Sequence, residues 1–125
     1  MNATLEYTKN AVMTASRAKL VVLMYEGAIS HVEQARFHLE RNNVAGCGTA
    51  ISRAYSIVSE LKVALDFEAS PEVGEVARRL ESLYTFVQDR LVQTNIERDA
   101  GDLQAVLDVL RTVKEGWDGI VHQQA

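Results

Sequence analysis

Pro71 is the only proline in a chain of 125 residues, and only seven glycines join it as breakers of regular structure. A β-sandwich or barrel needs a turn roughly every 8 to 12 residues, and each turn draws on Gly, Pro, Asn or Asp. No run of alternating β-branched residues compensates, so all-β architectures are excluded and long helices remain. Hydrophobic residues make up 47% of the chain and charged residues 24%, a balance that excludes a wholly disordered polypeptide. The length suits one domain.

Four segments carry helical signals. Ser16 precedes the apolar run RAKLVVLMYEGAISHVEQARFHLER, whose exit is marked by Asn42 and Asn43, residues that tolerate the left-handed backbone. Ala50, Ile51, Ala54, Ile57, Val58, Leu61 and Leu65 recur every three or four residues and line one side of a second helix. Ser70-Pro71 opens a third, because serine caps and proline at the first helical position loses no needed donor. Val73, Val76, Ala77, Leu80, Leu83, Tyr84, Val87 and Leu91 form its stripe. Asp99 or Asp102 caps a fourth helix, carrying Leu103, Val106, Leu107, Leu110, Val113, Trp117 and Ile120.

The expected boundaries are 17–41, 48–66, 71–97 and 102–121, with residues 1–15 as an N-terminal arm and residues 122–125 as a frayed tail. Connections of a few residues cannot cross back along helices of roughly 35 Å. The fold class is therefore all-α, an antiparallel up-down four-helix bundle spanning residues 16–121.

The formal net charge of −4 leaves no basic footprint for nucleic acid. No apolar stretch reaches the roughly 18 to 20 residues of a membrane span, and MNATLEYTKNAV lacks the form of a secretion signal. The expected compartment is the cytoplasm, with no membrane insertion. The single cysteine, Cys47, cannot form an internal disulfide and removes any cysteine-rich zinc site; its neighbours Gly46 and Gly48 suggest a loop or frayed helix start.

Helical bundles can hold two metals through Glu-x-x-His pairs. The residues three before His31, His38 and His122 are Ala28, Ala35 and Gly119, so the carboxylate is missing each time and no metal or cofactor is expected. Phosphotransfer from an exposed helical histidine is a rival reading, weakened by Val-Glu-Gln after His31 and Leu-Glu-Arg after His38, whose carboxylates repel an incoming phosphoryl anion. No phosphate loop, nucleophile elbow or HExxH motif is present, and no enzymatic activity is expected. LVVLMYEGAI has one charged residue in ten, Glu26, and apolar side chains spread around more of the helix than a single stripe requires. Every helix of a four-helix bundle keeps a solvent side, so this surplus implies a groove that the arm or a partner fills.

Thr14-Ala15-Ser16, then Lys19-Leu20, then LMYEGAI resembles the TASPEKLI…MLYDGAI signature of the FliS family of flagellar export chaperones. SELKVALDFE, GEVARRLESLYTFVQDRLVQTN and LRTVKEGW resemble that family's later helices in the same order, so the resemblance covers nearly the whole chain. Departures are Arg17 for the family's proline, Ala18 for the acidic residue after it, Tyr25-Glu26 for Tyr-Asp, and Thr94 for the alanine before Asn95.

The resemblance implies a non-enzymatic cytoplasmic chaperone. Its client would be the disordered C-terminal segment of flagellin, kept from premature polymerisation and presented to the flagellar export apparatus. It also implies an arm, with Tyr7 at the matching tyrosine and Val12 five residues further on, that covers the client groove when the client is absent. The groove residues expected are Leu20, Met24, Tyr25 and Ile29 from the first helix and Ile57, Leu61 and Leu65 from the second, with Arg90 and Asn95 offering polar contacts. A helical adaptor for another disordered client is the alternative within the same architecture.

Overall fold

A computed structural model describes the backbone of residues 2–124 and the side chains of residues 17–122. The helices are α1 (Asn2–Glu40), α2 (Val44–Val63), α3 (Pro71–Glu97) and α4 (Ala100–Gln124), and no strand occurs among the described residues. α1 packs on α2 and α4, and α3 packs on the same two, so the helices form a ring, and the Tyr25 and Tyr84 side chains meet across its middle. Cross-helix pairs run antiparallel. Arg36 donates to Gln104 while Lys114 reaches Glu26, and Gln88 meets Tyr55 and Ser59 while Gly48 lies opposite Asn95. The expected antiparallel up-down bundle is formed.

Helix α1 does not begin at Ser16 as expected; its backbone is helical from Asn2. The physical reason is in the sequence, since no Gly or Pro lies between Asn2 and Glu26, and Arg17 supplies the amide that a proline there would lack. The other end follows the expectation closely. Asn42 has φ 57°, and the amides of Asn42 and Asn43 bond back to the carbonyls of Leu39 and His38, closing α1 with a Schellman turn. Asn43 then caps α2, its side-chain oxygen accepting from Gly46 N at 2.9 Å. α2 therefore starts at Val44 rather than 48, Cys47 sits buried in its first turn, and the helix stops at Val63 rather than 66.

Ser70 caps α3 through Val73 N at 3.1 Å with Pro71 at its first turn, as expected. Arg98 takes φ 59° to end that helix, and Asp99 accepts from Gly101 N at 2.9 Å to begin α4. The segment from residue 122, expected to fray, stays helical to Gln124.

The core is layered from Tyr25, Val32, Val58, Val87, Leu91, Leu103, Val106, Leu107 and Leu110, all essentially without exposure, with Ala28, Ala35, Ala50 and Ala54 letting α1 and α2 approach closely. Thr94 is fully buried among them and satisfies its hydroxyl by donating to Arg90 O at 2.9 Å. Charged pairs close the outer α1–α4 seam, Glu33 with Arg111 and Glu26 with Lys114 at 3.7 Å, and Lys114 also pairs within α4 with Asp118 at 2.8 Å. The hydrogen bond to Asp118 is the main reason the Lys114 ammonium is held above its ordinary range.

Candidate partner-binding site

α2 ends at Val63 and α3 begins at Pro71, so the seven residues between them must turn the chain over the end of the bundle. Asp66 organises that turn by accepting from the amides of Glu68 and Ala69 at 3.0 and 3.2 Å. The turn presses onto α3 so tightly that a Cβ on Gly74 would lie 2.5 Å from Phe67 O. Below the turn the last residues of α2 and the first of α3 diverge enough to leave an apolar furrow of about 220 Å³. Leu61, Leu65, Val73, Val76 and Leu80 form its walls, and Val21, Tyr84 and Trp117 its inner end.

The inner end is polar beneath an apolar skin. The Tyr25 and Tyr84 hydroxyls hydrogen-bond each other, with ring centroids 6.3 Å apart, and both groups are buried. Burial pushes the Tyr25 phenol far above its ordinary value, and the bond to Tyr84 adds to that; the Trp117 indole works in the opposite direction. Tyr84 is likewise raised by burial, with its bond to Tyr25 acting against the shift. One helical turn further along α3, Gln88 donates to Tyr55 O at 3.3 Å and Ser59 Oγ at 2.8 Å and accepts from Lys62 Nζ at 3.3 Å. Gln88 is itself buried, so these bonds fix the register of α3 on α2. The furrow is thus held between a backbone contact at one end and a side-chain clamp at the other.

The expected groove residues do not form one surface. Leu61 and Leu65 do line the furrow. Tyr25 is 0% exposed and has no surface to offer a partner, because its ring fills the core and its hydroxyl is taken by Tyr84. Leu20 is 58% exposed on the open side of α1, while Met24 and Ile29 are half-buried against the core. Ile57 and Asn95 line a different depression, on the outer face of α2. Arg90 turns toward α4, bonding Asp102 at 3.1 Å and lying over the Phe86 ring at 5.2 Å, so it does not converge with Asn95. Tyr7 and Val12 lie outside the residues whose side chains are described.

Val73, Val76, Leu80 and Trp117 were not expected at a site. All four belong to regular apolar stripes, and periodicity alone cannot show where a stripe outruns its neighbours. Their position supplies the signal: Val73 and Val76 occupy the first two turns of α3, where α2 has already ended. Val76 remains 56% exposed, and Leu23 and Val63 at the same end of the bundle are more than half exposed.

The family model described as flagellar protein FliS matches residues 1–124. The chain belongs to the FliS family. It is 36% identical over 113 residues to the flagellar secretion chaperone FliS of Salmonella typhimurium, covering 90% of this chain and 82% of that protein. Identity is 37% over 111 residues to the flagellar secretion chaperone FliSB of Pseudomonas aeruginosa, covering 89% and 86%. A crystal structure described as a flagellar chaperone from bacteria superposes with a TM-score of 0.79 at 21% identity, over 98% of both chains, and shares the fold. FliS relatives are named as chaperones, a non-enzymatic role. Cys47 fits no catalytic part in this FliS-family chain: burial raises its thiol pKa, with Arg98 opposing, so little thiolate forms. No described helix is long and apolar enough to cross a membrane.

Proposed function

We propose that this chain is a cytoplasmic export chaperone that holds the disordered C-terminal segment of flagellin, prevents its premature polymerisation and supports its delivery to the flagellar type III export apparatus. The observation that carries the reading is the apolar end of the bundle, where Val73 and Val76 stay exposed in the walls of an aliphatic furrow and Leu23 and Val63 stay exposed at the same end. Covering side chains already half-exposed recovers about 1 kcal/mol each, so a few anchors offset the ordering of a flexible tail. A furrow of about 220 Å³ is smaller than typical small-molecule pockets and suits two or three side chains of an amphipathic segment.

The test is calorimetric titration of the full chain with the flagellin C-terminal segment from the same source. Binding is expected, with loss of at least tenfold in affinity for Val76→Asp while far-UV circular dichroism stays unchanged. No binding to the segment rejects the client. Unimpaired binding by Val76→Asp rejects the furrow.

A further inference from the structure

Asp66 is the only charged side chain among the residues that line the furrow, and no lysine, arginine or histidine joins it there. Both bonds that hold the connecting turn, from the amides of Glu68 and Ala69, fall on Oδ1 of Asp66. The turn therefore uses one carboxylate oxygen, and its shape can be separated from the charge.

The chain around Asp66 is one-sided in charge. From Val63 to Ala77 runs the longest stretch of the sequence free of Lys, Arg and His, and it carries four carboxylates, Asp66, Glu68, Glu72 and Glu75. The C-terminal end of α2 brings its partial negative charge to the same place, while Glu72 offsets the opposite charge at the first turn of α3. The cations on either side of this stretch are directed elsewhere. Lys62 donates to Gln88 Oε1 at 3.3 Å, Arg79 pairs with Glu75 at 2.7 Å, and Arg78 Nη1 lies against Gly74, 3.4 Å from its would-be Cβ. None of the three lines the furrow, and Arg17, one turn before Val21 on α1, forms no ion pair with Asp66. An occupant of the aliphatic walls thus meets a carboxylate at their edge and no cation.

We propose that Asp66 is a specificity-determining residue of the furrow, selecting amphipathic segments that carry a lysine or arginine beside their apolar anchors. This inference rests on the client reading and names the chemistry the client presents at that point. The aliphatic stem of a lysine or arginine can lie along the aliphatic walls while its head group reaches the Asp66 carboxylate. A neutral segment of equal apolar area gains nothing from that carboxylate, and one with Asp or Glu in the same place is repelled. Charge therefore discriminates between clients that apolar contact alone would bind equally.

The test is calorimetric titration of the full chain with the flagellin C-terminal segment from the same source, in about 0.02 M and about 0.3 M salt. Asp66→Asn removes the charge and keeps an oxygen for both turn amides, so circular dichroism and the urea midpoint should not change. At low salt it should weaken binding about threefold, as expected for one solvent-exposed ion pair, and the difference should vanish at high salt. Replacing the segment's lysines and arginines by glutamine, one at a time, should reproduce that loss at one position in the wild-type chain and add nothing in Asp66→Asn. Glu75→Gln, which removes a carboxylate outside the furrow, should bind as the wild type does. If Asp66→Asn binds equally at low salt, or if no glutamine replacement couples to it, the inference is overturned, and the client reading stands as long as Val76→Asp remains impaired. Should Asp66→Asn lose stability, the glutamine series in the wild-type chain decides alone, and a series without any salt-sensitive loss overturns the inference. Failure of the segment to bind the wild-type chain at all rejects the client reading, and this inference with it.

Discussion

Replacing Gly74 by alanine sets two effects of known sign against each other. A glycine inside a helix costs about 1 kcal/mol relative to alanine, so the substitution should stabilise α3 if the new methyl group had room. It has none: the Cβ would stand 2.5 Å from Phe67 O, a backbone atom, and 3.4 Å from Arg78 Nη1. The side chain of Arg78 can swing aside, but Phe67 belongs to a turn fixed by the two amide bonds to Asp66. Lifting that turn is an overpacking displacement of about 1–3 kcal/mol. Gly116 in α4 is the internal control, since nothing lies within 4 Å of its would-be Cβ. Gly116→Ala should therefore gain up to about 1 kcal/mol, and Gly74→Ala should lose between about 0 and 2 kcal/mol, after the same propensity gain is deducted. The gap of about 1–3 kcal/mol corresponds to roughly 4–12 °C in Tm for a domain of this size. Urea unfolding followed by circular dichroism measures it directly. If Gly74→Ala proved as stable as Gly116→Ala, the claim that the connection presses on α3 and shapes the furrow would be wrong.

Three further outcomes follow from the buried polar groups. Tyr25 and Tyr84 both have folded-state pKa values raised above the ordinary 10.0, so their contribution to stability is complete below about pH 10 and is lost as pH climbs beyond it, where the unfolded chain releases protons that the folded chain retains. The urea midpoint should hold steady from pH 7 to 9 and drop above 10, with a shallower drop in Tyr25→Phe; parallel curves for the two proteins would refute the assignment. Tyr25→Phe alone should cost about 1–2 kcal/mol at neutral pH by stranding the Tyr84 hydroxyl, and adding Tyr84→Phe should cost less than twice that, as a double-mutant cycle would show. Gln88→Leu keeps the volume but removes the clamp between α2 and α3, with an expected loss of about 1–2 kcal/mol and weaker binding of the flagellin segment; unchanged stability would mean that apolar packing alone sets the register.

Much of this molecule was legible in its residues because the signals are local. Scarce breakers, three- and four-residue apolar spacing, Ser70-Pro71 and the Asn42-Asn43 pair specify helices and their ends within a few neighbouring residues, and all act as those residue types do elsewhere. Separated motifs along the chain carried the family resemblance for the same reason. The start of α1 was misplaced because Ser16 is a good cap only where the preceding chain is not already helical.

The site was only partly legible. A stripe such as Leu20, Met24, Tyr25 and Ile29 fixes a helix face, but not how far each neighbouring helix extends to cover it. Tyr25 disappeared into the core beside Tyr84, 59 residues away, whereas Leu20 stayed in the open one turn earlier. Val73 and Val76 gained their importance from the place where α2 happens to stop. Periodicity is set by backbone geometry within one helix, while exposure is set by the lengths and register of its partners, and those quantities exist only once the four helices are assembled.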